Sequence, residues 1–338
     1  MSAGLPWIDF DLAQSLAHRM IPPGPAATRA QRSECVADLR RAAARSPELV
    51  SRATGLPMVT GGIDLVVDRR SWVSSMVQTA RRLWDRLDGP VEPTSLAARL
   101  SGRGTASAMA GGLAVLGTRI LGQFDPFAPT PRLLLVAPNV MHVERQLRLE
   151  PGDFRQWVSL HEQTHRVQFA AAPWLPEHLL GLVGEVMAAE DEAGESVADV
   201  LTRLSRREQP NQSNGALLDV VSAPQARAAL DRATAVMSLL EGHADVVMDL
   251  AGPEVVATLP VIRAKFERRR DQGGNWELVS KALGMDAKLA QYRDGAAFCR
   301  AVLDQVGHPG LNRVFERVEH LPTRAELAEP AQWLVRMG

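Results

Sequence analysis

Apolar residues recur at helical spacing through most of the chain, and proline or glycine breakers separate the periodic stretches. Residues 9–20 place Phe10, Leu12, Ala13, Leu16 and Met20 on one face and stop at Pro22-Pro23-Gly24-Pro25. Thr28 is a suitable N-cap for a second helix running to Arg45. Leu65-Val66-Val67 is a short strand candidate ahead of Asp68. Ser71 to Leu87 is a further helix, capped by Ser71 and ended by Asp88-Gly89-Pro90. The stretch from Gly102 to Gly122 is rich in alanine and glycine, and its pattern fits a closely packed helix or a loop.

The clearest strand is Arg132 to Val136, bounded by Pro131 and by Pro138-Asn139. A helix follows from Asp153, as N-cap, to about Ala171, and Phe154, Trp157, Val158, Leu160, Val167 and Phe169 spread around its circumference. Such a helix belongs in a core. Ala188 to Ser196 carries Glu190, Asp191, Glu192 and Glu195 and reads as a solvated face. Gln209 to Gly215 reads as an exposed loop. Helix resumes over Ala223–Leu250 and Glu254–Arg270 and continues in pieces to the C-terminus. The pattern predicts a mainly α fold with a small β-sheet (α+β). It divides into a helical N-terminal region, 1–120, packed on a second region, 121–338, or forms one continuous domain.

Composition narrows the classes. The chain has 338 residues, 46% hydrophobic and 23% charged, enough for a substantial core. A net charge of −1 lacks the basic excess of a general nucleic-acid binder. Cys35 and Cys299 are far apart and without ligand spacing, so neither a cysteine zinc site nor a disulfide framework is expected. The N-terminus lacks a basic segment followed by an apolar run, and no stretch of about eighteen uncharged apolar residues occurs. A soluble cytoplasmic protein without a membrane partner is the expectation.

Candidate chemistry lies in His161-Glu162-Gln163-Thr164-His165, an H-E-x-x-H sequence at the centre of the 153–171 helix. Residues i and i+4 lie about 40° apart and one turn along a helix, so His161 and His165 can hold one zinc ion. Glu162, beside them, is placed to accept a proton from water. A hydrolytic site needs a third ligand. Glu241, in Glu241-Gly242-His243-Ala244-Asp245, is the preferred candidate, since a carboxylate inside the apolar run Ala235 to Met248 needs a partner. Asp245, on the same helical face, would accept an N–H from a ligand histidine. His243 is the alternative ligand, about 200° around the helix from Glu241. Tyr292, the single tyrosine, is a candidate oxyanion donor, with a packing role as the alternative. Arg268, Arg269, Arg270 and Arg293 offer cations for an anionic substrate, although a helix C-terminus favours cations for its own reasons. His142 and His178 read as surface and loop residues.

Beyond the motif, several runs carry a resemblance. They are Phe124-Asp125-Pro126-Phe127, Leu133 to Asn139, Asp153 to Val158, Arg166 to Phe169, Pro173-Trp174-Leu175, Leu239 to Asp245, Lys288 to Tyr292, and the ending Leu321-Pro322-Thr323 to Leu334. Together they resemble the zincin-like hydrolases, bacterial proteins known mostly as uncharacterised metallopeptidases. Trp7 to Ala13 and Val67-Asp68-Arg69 resemble a subgroup linked by genomic context to deazaflavin-coenzyme biosynthesis. The resemblance implies a zincin-type core, with an edge strand, the H-E-x-x-H helix and a later ligand helix. Glu241 and Asp245 match the E-x-x-x-D element of gluzincins, though the gap after His165 is longer than in familiar members. Strand 132–136 would be the edge on which a substrate peptide lies.

The leading expectation is therefore a zinc-dependent hydrolase acting on a peptide or small amide, with Glu162 as general base. A non-catalytic scaffold that keeps the zincin fold, and an amidohydrolase for a small acidic metabolite, are the alternatives.

Overall fold

The structure is a computed structural model that describes residues 5–59, 61–193, 223–271 and 285–338, with side chains at 267, 269–271 and 285–293 outside the description. As the pattern predicts, helices dominate, and among the described residues one small sheet joins them. The expected loop at 209–215 lies outside the described residues.

Helix α1 (Phe10–Met20) is capped by Asp9, and α2 (Arg29–Thr54) by a reciprocal Thr28–Gln31 box. α2 runs past Arg45 and through Pro47. Proline lacks an N–H, so the carbonyl four residues earlier, that of Ala43, loses its helical donor. Gln163 fills the gap: its Nε2 donates to Ala43 O at 3.0 Å. After β1 (Ile63–Val67), α3 (Arg69–Arg86) is capped by Asp68, which accepts from Ser71 N at 2.7 Å, so the cap lies three residues before the expected Ser71. The ambiguous small-residue stretch is helix α4 (Leu96–Leu116), whose Ala110 and Ala114 pack in one cluster with Ile8, Phe10 and Ala17.

The sheet orders β1, β3 (Arg132–Val136) and β2 (Gly122–Asp125), with β1 parallel and β2 antiparallel to β3. β3 is thus the central strand, and the expectation that it forms the edge is corrected. Its alternate side chains enter opposite cores. Leu133 and Leu135 join Leu39, Val140 and Phe154, whereas Leu134 and Val136 join Trp72, Val73 and Phe10. A strand covered on both faces is apolar throughout.

β3 leads into α5 (Ala137–Gln146) and then α6 (Pro151–Ala171). Glu150 caps α6 by accepting from Asp153 N. Asp153, the expected cap, instead accepts from Thr258 N at 2.6 Å and Thr258 Oγ1 at 2.7 Å. In α7 (Leu175–Glu192) the acidic stretch is not wholly solvated: Glu190 is buried and accepts from Ala223 N at 2.8 Å. Helices α8 (Pro224–Val255), α9 (Leu259–Asp271) and α10 (Met285–Asn312, interrupted at Gly307) complete the site region, and α11 (Arg324–Ala328) and α12 (Pro330–Met337) close the chain. The largest core joins Leu160 of α6, Leu239 and Met248 of α8, Phe298 of α10 and Trp333 of α12. α8 and α10 cross at Gly242 and Gly295, where a Cβ on either would run into the other's backbone. Among the described residues no helix is long and apolar enough to cross a membrane.

Candidate metal centre

Helix α6 is fastened from behind by buried polar groups. Arg155 donates to Glu144 at 2.8 and 3.1 Å and to Asp38 at 2.7 Å, and Gln156 Nε2 donates to Ser46 Oγ at 2.9 Å. These paired buried charges fix the helix in rotation. One stripe is left partly open, at Asp153, Trp157, His161, His165 and Phe169. α8 has the matching stripe, opening every fourth residue at Glu241, Asp245 and Asp249. The two stripes bring the predicted ligands together.

His161 Nε2 and His165 Nε2 are 3.2 Å apart. Glu241 Oε2 lies 3.5 Å from His161 Nε2, and its Oε1 lies 3.7 Å from His165 Nε2. One ligand atom from each of the three residues falls within 4.8 Å of the others, and their side chains are 14–26% exposed. Two nitrogens bound tetrahedrally to zinc at about 2.0–2.1 Å would be about 3.3 Å apart. The donor set and its spacing fit zinc.

Glu162 is buried beside the trio, and its carboxyl is pushed up to about 7. Burial is the main cause. The nearby His165 opposes it, the Glu241 carboxylate adds to it, and a hydrogen bond from the Phe124 backbone N–H opposes it. Phe124 belongs to β2, so β2 is the sheet edge that meets the H-E-x-x-H helix. Gly122 on the same strand lies against Glu162.

Asp245 departs from its expected role. Its Oδ1 accepts from Arg263 at 2.8 Å and its Oδ2 from Arg300 at 3.0 Å, and both arginines also pair with Asp249. Burial acts to raise the Asp245 carboxyl, but hydrogen bonds and charge from Arg263, with a contribution from Arg300, outweigh it and hold it low. Asp245 fastens α8 to α9 and α10. The group beside a candidate ligand imidazole is Gln168, whose Oε1 lies 2.9 Å from His165 Nδ1.

His243 stands apart from the trio. It is buried against Phe315 at 5.3 Å between ring centroids, and its Nδ1 faces Gln168 Nε2 at 3.0 Å. Burial, with the nearby His165 and His308 adding to it, lowers it to about 3, so it is neutral. The Tyr292, Arg269, Arg270 and Arg293 side chains lie outside the described residues. His142 is exposed on α5, and His178 packs near Trp174 on α7.

Residues the sequence reading passed over are Gln168, Gly122, Arg263 and Arg300. Gln168 had a signal: it is a polar residue between Val167 and Phe169, three positions after a candidate ligand histidine.

A family model described as a zincin-like metallopeptidase matches residues 8–334. The chain belongs to that family. The crystal structure of a "putative hydrolase with a novel fold" from Chloroflexus aurantiacus is similar to it, at 29% identity over 98% of each chain and a TM-score of 0.68. No curated protein matches. For a zincin-like metallopeptidase the expected cofactor is zinc and the expected reaction class is hydrolysis, and the His161, His165 and Glu241 donors suit both.

Proposed function

We propose that this zincin-like protein is a zinc-dependent hydrolase, acting as a peptidase on peptide or small amide substrates. The observation that carries the reading is the convergence of His161, His165 and Glu241 next to a buried Glu162. Zinc, when bound there, would supply a Lewis acid that acidifies water and polarises a carbonyl.

The chain's own residues account for the rest. Two imidazoles and one carboxylate provide three donors from two helices, one fewer than the four of a closed zinc site. Glu162 accepts a proton from the attacking water and passes it to the leaving nitrogen. Burial, the main cause of its raised proton affinity, favours a carboxylate that can take up a proton and give it back. The hydrogen bond from Phe124 N–H orients the carboxylate. β2 is the sheet edge beside Glu162, and a peptide adding to that edge would be held through the main-chain groups that Glu162 does not occupy. The resemblance of Trp7–Ala13 and Val67–Arg69 to the deazaflavin-linked subgroup supports placing the protein with it.

The test is Glu162→Gln, assayed with zinc-loaded protein on a library of fluorescence-quenched peptides. The variant should keep its zinc and lose cleavage by about 100-fold or more. Equal cleavage by the variant would remove Glu162 from the mechanism.

A further inference from the structure

We infer that Gln168 is the positioning residue of the metal centre: it sets the His165 tautomer and ties the two ligand-bearing helices together. The inference deepens the zinc reading and rests on it for its consequence, although the hydrogen-bond logic stands by itself.

The Gln168 side chain is fully buried between α6 and α8. Its Nε2 lies 2.8 Å from Leu240 O and 3.0 Å from His243 Nδ1, and its Oε1 lies 2.9 Å from His165 Nδ1. The two ends of an amide look alike in shape, so its orientation must come from its partners. A backbone carbonyl can only accept. Leu240 O therefore requires the NH2 end of Gln168, and the flipped amide would set two oxygens against each other in a dry site.

Everything else follows from that orientation. One Gln168 N–H serves Leu240 O, and the other serves His243 Nδ1. His243 therefore accepts at Nδ1 and carries its proton on Nε2. At the opposite end, Gln168 Oε1 can only accept, so His165 must donate from Nδ1. A neutral His165 with its proton on Nδ1 has its lone pair on Nε2, the atom that faces His161 and Glu241. The tautomer a metal needs is thus present before any metal arrives. Leu240 immediately precedes Glu241, so the bond to Leu240 O also holds the third donor in register with His165.

In other metal sites a carboxylate or backbone carbonyl often holds the ligand imidazole. Here Asp245, the carboxylate the sequence offers for that task, is taken up by Arg263 and Arg300, and an amide takes its place. An amide can accept from one helix while donating to the other, which a carboxylate cannot do.

The test compares the full-length protein with Gln168→Met and Gln168→Glu. Two readouts are used: the histidine tautomer from 15N NMR of the chelator-treated chain, at a pH where imidazoles are neutral, and zinc affinity from competition with a chromophoric chelator. The parent should show His165 protonated on Nδ1. Gln168→Met should lose that preference and bind zinc about 10–100-fold more weakly. Gln168→Glu, which can still accept from Nδ1–H, should keep the tautomer even if it weakens the tie to Leu240. A parent His165 protonated on Nε2 would overturn the inference, as would a folded Gln168→Met with unchanged tautomer and zinc affinity. If the parent keeps Nδ1–H but binds no zinc, the metal reading fails and the role of Gln168 in setting the tautomer stands.

Discussion

Gly122 and Glu162 are in direct contact across the junction of β2 and α6. A Cβ built on Gly122 would lie 2.5 Å from Glu162 Cγ and 2.9 Å from its Oε1. The Gly122 backbone is not in the left-handed region, so what opposes alanine there is contact with the Glu162 side chain, its Cγ first. The missing Cβ leaves the space that the Glu162 side chain fills.

Gly122→Ala should therefore displace Glu162 while leaving the three zinc donors in place. Zinc content should be unchanged and peptide cleavage should fall by about 10–100-fold, the scale set by misplacing a catalytic group by about 1 Å. Unchanged cleavage in a zinc-loaded Gly122→Ala protein would remove this contact from the account of catalysis.

Asp245 yields a prediction of the opposite kind. Its partners are arginines and its side chain is 40% exposed, so solvent screens the pairs. Asp245→Asn should cost about 1 kcal/mol or less in denaturant unfolding and change zinc affinity by less than about threefold. A loss of zinc affinity as large as that expected for Gln168→Met would show that Asp245 acts on the metal site after all.

How much of this was legible in the sequence depended on distance along the chain. His161 and His165 are four residues apart on one helix, so local geometry gives their convergence. Glu241 was legible because an ionisable group within an apolar run needs a partner. The partner of Asp245 was not legible in the same way, because Arg263 and Arg300 arrive from two other helices and nothing near Asp245 encodes them. Strand 132–136 shows the same division. Its apolar run marks it as a strand, while its neighbours at 63–67 and 122–125 are set by long-range pairing. The absence of any polar alternation from Leu133 to Val136 was nonetheless a sign of a strand covered on both faces. The helix caps at Asp68 and Glu150 each lay three residues before the expected ones, since several polar side chains compete for the same exposed N–H groups.

His243 predicts a pH dependence of stability. The folded protein holds it at about 3, against 6.5 for an ordinary histidine. Between these values the unfolded chain takes up a proton that the folded chain refuses. The stabilisation is complete above about pH 6.5 and is lost as pH falls toward 3, with a slope of at most about 1.4 kcal/mol per pH unit. His243→Gln, which can still accept from Gln168, should flatten this part of the profile in metal-free urea unfolding. Parallel profiles for the two proteins would contradict the buried neutral histidine.

The central claim is that His161, His165 and Glu241 hold one zinc ion and leave a position open for chemistry. It is tested most directly by anomalous diffraction at the zinc edge from crystals of the zinc-loaded protein. The account predicts one strong peak about 2.0–2.2 Å from His161 Nε2, His165 Nε2 and a Glu241 carboxylate oxygen, with no fourth protein ligand. No peak at this position, or zinc closed off by a fourth side chain such as His243, would contradict it.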